Sequence, residues 1–142
     1  MTTNYGKFSS TIIFLSTAML PSFQVLVCGN LIKVDLEGCW DIKSDLAYLN
    51  QLSAAMQQVR NTPWALLVDM RGWVVSEDMV NFKQKTIFHM DRRNQIAECW
   101  LVDDLSQGAH LFHFIEKAKI PLKRCTSITS ARTWLNQYGI DF

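Results

Sequence analysis

The chain has 142 residues, 49% of them hydrophobic, and its 14 basic and 13 acidic side chains leave a formal net charge of +1. This is the length of one domain, with enough apolar sequence to bury a sizeable core. The near-neutral balance argues against a nucleic-acid surface: Arg92-Arg93 and the set Lys117, Lys119, Lys123, Arg124 are local basic clusters, and neither alternates with aromatics.

The opening stretch "TIIFLSTAML" (11–20) is apolar and stops at Pro21. It is shorter than the roughly 20 apolar residues a membrane span needs. Three readings stand: a signal-peptide core behind Lys7, an extra element packed on the domain, or an upstream extension with the natural start at Met19. The last is preferred, because the recognisable pattern begins after Met19. Residues 1–20 are therefore set apart as an N-terminal extension, and 21–142 form the domain.

From Phe23 the pattern is regular. Two apolar runs, 23–28 and 31–37, flank Gly29-Asn30, a dipeptide suited to a tight hairpin turn. Ile32, Val34 and Leu36 alternate with Lys33, Asp35 and Glu37, as in a half-exposed strand. A helix follows, capped by Asp41, with an apolar stripe of Ile42, Leu46, Leu49, Leu52, Met56 and Val59, and stopped at Asn61-Thr62-Pro63. "WALLVDM" (64–70) is continuously apolar and reads as the central strand, covered on both faces. Ser76 to about Met90 reads as a second helix with Met79, Phe82, Thr86 and Met90 inward, and "IAECWLVDD" as the next strand. A third helix is expected over 106–118 with Ala109, Phe112 and Ile115 inward. The short strand "PLKRC" then leads to a closing helix over 127–138, capped by Ser127 and ended by Gly139.

A hairpin followed by alternating helices and strands predicts an α/β fold. The sheet is expected to be mostly parallel, of about five strands, with an N-terminal antiparallel hairpin and four helices. Cys28, Cys39, Cys99 and Cys125 form no CxxC motif. Cys28, Cys99 and Cys125 read as buried free thiols, which fits a reducing, cytoplasmic compartment; export is the alternative if 1–20 acts as a signal peptide.

Chemistry-bearing residues gather in "VDMRGWVVSEDM" (68–79), where the central strand ends. In open α/β sheets ligands bind beyond the carboxyl ends of strands. Arg71 there suits a carboxylate or phosphate, and Trp73, at a turn, an interface anchor. Ser76 fits a helix N-cap with Glu77 and Asp78 in the first turn, and Asp69 can pair with Arg71. Asp103 and Asp104 end the following strand and reach toward the same crevice; with Asp69 they would suit a hard cation, but the lysine and threonine of a phosphorelay site are absent. His110, His113 and Glu116 recur at three-residue steps, and read as a solvated helix face rather than a metal site. The chain contains no P-loop, dinucleotide fingerprint or nucleophile elbow.

The motifs "VDLEGCWD" (34–41), "WALLVDMRGW" (64–73), "LVDD" (101–104) and "IPLKRCTSITSARTWL" (120–135), in this order, resemble the STAS domain, and within it the bacterial SpoIIAA-like group of small stand-alone proteins. The resemblance covers Phe23 to the C-terminus. It implies binding and regulation, not catalysis, and no cofactor. In anti-sigma-factor antagonists a phosphorylatable serine, preceded by an aspartate, opens the helix after the central strand. Here Glu77 stands at the aspartate and Asp78 at the serine, while Ser76 lies two residues early. The site expected from the sequence is a partner or ligand site at Asp69, Arg71, Trp73, Ser76, Asp78 and Asp103.

Two functions follow, the first preferred and the second its alternative. A protein-interaction module predicts an exposed apolar patch around Trp73 and no deep cavity. A small-molecule or lipid-binding protein predicts an apolar pocket between sheet and helices, with Arg71 or a histidine at its mouth. The apolar edge strand 23–28 also makes a homodimer conceivable.

Overall fold

The computed structural model describes residues 20–85 and 90–142. The readings of the 1–19 segment, and of Thr86 as an inward residue, fall outside the described residues. The chain opens with a hairpin of β1 (Ser22–Cys28) and β2 (Leu31–Trp40), paired antiparallel from Ser22–Glu37 to Cys28–Leu31. Its two-residue turn needs a positive φ at the first position, and Gly29 supplies it at +62°.

Helix α1 (Ile42–Val59) starts where Asp41 accepts the Ser44 N–H, and ends before Pro63. Strand β3 (Trp64–Asp69) runs parallel to β2, and a three-residue strand, β4 (Trp73–Val75), pairs parallel with the last residues of β2. Gly38, at φ +86°, stands where β2 passes from one of these neighbours to the other. Helix α2 (Glu77–Lys85) follows, then β5 (Gln95–Leu101). A 3₁₀ turn (Ala109–Leu111) runs into α3 (Phe112–Ala118), and β6 (Leu122–Cys125) and α4 (Ile128–Asn136) close the chain.

The sheet has the order β1-β2-β3-β5-β6, with β4 beside β2, and every pairing except the hairpin is parallel. Among the described residues it has six strands; β4 is the strand the sequence conceals, because three residues are too few to show an alternation. The central strand β3 is buried on both faces. Trp64, Leu66, Val68 and Met70 belong to the core shared with α1, Met79 of α2 and Ile115 of α3, whereas Ala65 and Leu67 join Cys99, Leu101 and α4 on the other face. Three helices thus cover one face and α4 the other.

Four expectations are corrected. In α1 the buried face includes Asp45 and Tyr48, while Leu46 is exposed; the stripe continues back from Val59 and Met56 through Leu52 to position 45. The 106–118 helix is interrupted: Gly108 sits at φ +80° with its backbone against the Trp100 ring, so regular α-helix begins only at Phe112. Ala109 and Phe112 face outward and Ile115 alone of the three is buried. Cys28 is exposed at the hairpin end of the edge strand, unlike the buried Cys99 and Cys125.

Candidate functional site

The turn after β3 is rigid for local reasons. Asp69 accepts the backbone N–H of Arg71 and both arms of its guanidinium, Nε at 3.0 Å and Nη2 at 2.8 Å. Asp103, at the end of β5, accepts the Gly72 N–H at 2.7 Å. Gln107 clamps the same turn, donating to the carbonyls of Met70 and Trp73 and accepting the Asp103 N–H. Asp69, Arg71 and Asp103 are therefore brought together, as the sequence suggests.

Their electrostatics differ from the expectation for Arg71. Its fork is already filled by Asp69, and the hydrogen bonds and charge of Asp69, with Asp103 and Asp35 behind, raise its pKa. A shallow polar groove of about 350 Å³ beside it is lined by Asp35, Glu37, Asp69 and Arg71. One arginine among three carboxylates is no receptor for an anion.

Trp73 is corrected outright: it is 5% exposed. As the first residue of β4 its side chain turns inward, edge-on to Trp40 at 5.9 Å and against His110 at 5.8 Å, and it is Val74 that faces outward, 55% exposed. Ser76 caps α2, its Oγ accepting the Met79 N–H at 3.1 Å, and Asp78 is exposed in the first helical turn. These two stand apart from the Asp69–Arg71 pair, on the helix that follows.

The larger feature lies beneath that helix. A half-open cavity of about 400 Å³ sits between the sheet face and the layer of α1, α2 and α3. Its floor is Leu36, Leu66, Val68 and Trp100; α1 contributes Tyr48, Leu49 and Leu52; α3 contributes Phe114 and Ile115. His113, Lys117 and Ala118, all exposed, mark where it reaches the surface. A histidine thus stands at the mouth, while Arg71 lines the other groove.

One end of the cavity is polar, and none of these residues is foreseen as a site. Glu98 is 3% exposed on the same strand face as Trp100; it accepts from Arg92 at 2.8 Å, Gln95 at 2.9 Å and the Trp100 indole at 2.7 Å. Asp45 of α1 and Lys83 of α2, 2% and 4% exposed, lie 2.9 Å apart as a charge contact. Burial raises the Asp45 pKa and outweighs the pull of Lys83. The signals were present in the sequence: Glu98 is a lone charge inside an apolar strand, and Lys83 lies one helical turn after the buried Met79.

Outside this cavity, the Cys99 thiol donates to the Cys125 sulfur at 3.7 Å, with no disulfide between them; burial, then the neighbouring Cys125, push the Cys99 thiol up, which makes it unreactive. Among the described residues no cluster of three or more His, Cys, Asp or Glu side chains is placed to hold a metal, and no helix is long and apolar enough to cross a membrane.

No protein-family model matches the chain, and no curated protein matches it. Among solved structures, the crystal structure of an anti-sigma factor antagonist from Mycobacterium paratuberculosis is similar, at 16% identity, over 82% of this chain and 95% of that one, with a TM-score of 0.48. A likeness of that degree says nothing of partners or activity. By its own strand order the chain is an antiparallel hairpin leading into a parallel α/β sheet with four helices, the fold class that its sequence predicts.

Proposed function

We propose that this chain is a non-enzymatic binding module that holds a small, largely apolar molecule between its sheet and its three-helix layer. The cavity of about 400 Å³ carries the reading. Its size lies within the roughly 300–1,000 Å³ of small-molecule sites, and its composition, apolar walls with a few convergent polar groups, is typical of them. Among the described residues around it no nucleophile–base pair is formed: Glu98 is held by three donors, and Asp45 faces Lys83. Four unpaired cysteines support a reducing, cytoplasmic setting.

A second reading, a regulatory module docking a protein partner on the turn and helix after the central strand, is favoured by Val74 and Leu105. They are 55% and 65% exposed on the two segments that Gln107 ties together. A native mass spectrum of the protein purified from its own cells separates the two. The proposal expects an excess of a few hundred daltons or less that disappears on denaturation. An unloaded chain accompanied by a protein-sized adduct would overturn it in favour of partner docking.

A further inference from the structure

Tyr48 stands out at the polar end of the cavity. Its ring is packed edge-on between Phe23 and Trp40, at 5.8 and 5.6 Å, and the residue is 8% exposed. Buried tyrosine hydroxyls usually find a partner. That of Tyr48 has no hydrogen bond to any described residue, and it is not among the polar atoms sealed from access. Tyr48 lines the cavity, and its hydroxyl is a donor that no described residue uses. Arg92 lines the same space; its Nη1 is spent on Glu98 and Gln95, and no described residue takes the rest of its fork.

Among the described residues, the buried charges at this end are paired. Asp45 faces Lys83, and Glu98 faces Arg92. An ion entering at this buried end would lose its water, and among the buried described residues there it would find no unpaired counter-charge; the Lys117 ammonium lies out at the exposed mouth. The field is also of the wrong sign for an acid: burial first, then Glu98, raise the Tyr48 pKa, Arg92 offsets Glu98 only in part, and Asp45 adds to it. The phenol stays protonated and able to donate.

We infer that the cavity is a site for an uncharged amphiphile, an apolar body ending in one carbonyl, ester or hydroxyl oxygen, with that oxygen accepting from the Tyr48 hydroxyl and the open side of Arg92. The inference rests on the pocket reading above and narrows it. A fatty acid, with the same body and an ionised head, would have to bury that head among charges already paired, and is expected to bind more weakly.

Isothermal titration with 2-undecanone and with undecanoate at pH 7.5 tests it, on the full chain and on Tyr48→Phe. Phenylalanine keeps the ring packing and removes only the donor. The ketone should bind the native chain with one-to-one stoichiometry and undecanoate at least tenfold more weakly; Tyr48→Phe should weaken the ketone about three- to tenfold, the worth of one hydrogen bond. Undecanoate binding as tightly as the ketone would overturn the inference and leave the pocket reading standing, as would ketone affinity unchanged in Tyr48→Phe. Binding of neither probe would overturn both. The comparison of the two probes on the native chain holds whether or not the variant folds.

Discussion

His110 shows what burial does to a single side chain here. It packs on Trp73, its Nε2 is buried with no hydrogen-bond partner among the described residues, and burial, followed by Lys83 and His113, pushes its pKa from 6.5 down to about 4. The unfolded chain takes a proton on this residue below about pH 6.5, and the folded chain does so only near pH 4. Its contribution is therefore present above pH 6.5 and lost as the pH falls toward 4. Urea midpoints of the native chain should drop between pH 7 and 5, and His110→Phe should flatten that slope; parallel curves would contradict the assignment. The same neighbourhood explains why Trp73 is buried where its sequence position suggests exposure. Its sequence position is a turn, and turn residues usually face water, but the turn feeds a three-residue strand whose first side chain points inward. Ser76, by contrast, is legible, because capping is decided by a few adjacent residues.

At the scale of elements, α2 is held to the body by Met79, whose full burial contributes about 2 kcal/mol, and by the Lys83–Asp45 contact with α1. A buried charge pair adds little net stability, but breaking it is costly. Lys83→Met alone should destabilise by about 3–5 kcal/mol in chemical denaturation, because it strands a buried carboxylate. Asp45→Leu combined with Lys83→Met should recover most of that loss; a double variant as unstable as the single one would show that the pair does not act as a unit. Elements defined by local chemistry are readable in advance: the Gly29-Asn30 turn, the Asp41 and Ser127 caps, and the alternation of β2. The charge pairs are not, since Asp45 finds Lys83, and Arg60 finds Asp91, only after distant segments pack.

For the whole molecule, alternating strands and helices fix a parallel α/β sheet, and that much follows from sequence. The cavity does not, because its volume depends on how far three helices stand from the sheet, and no single residue encodes that distance. It is also where the two functional readings part: the partner reading foresees an exposed Trp73, whereas Trp73 is buried and lines the pocket. The most direct measurement is a fluorescence titration with the uncharged apolar dye N-phenyl-1-naphthylamine, on the native chain and on Leu49→Trp. Leu49 lines the cavity and is half-buried, so the larger ring fills the space while circular dichroism checks that the fold survives. The account predicts saturable uptake of one dye per native chain and at least a tenfold loss in Leu49→Trp. No uptake by the native chain, or equal uptake by both, would contradict it.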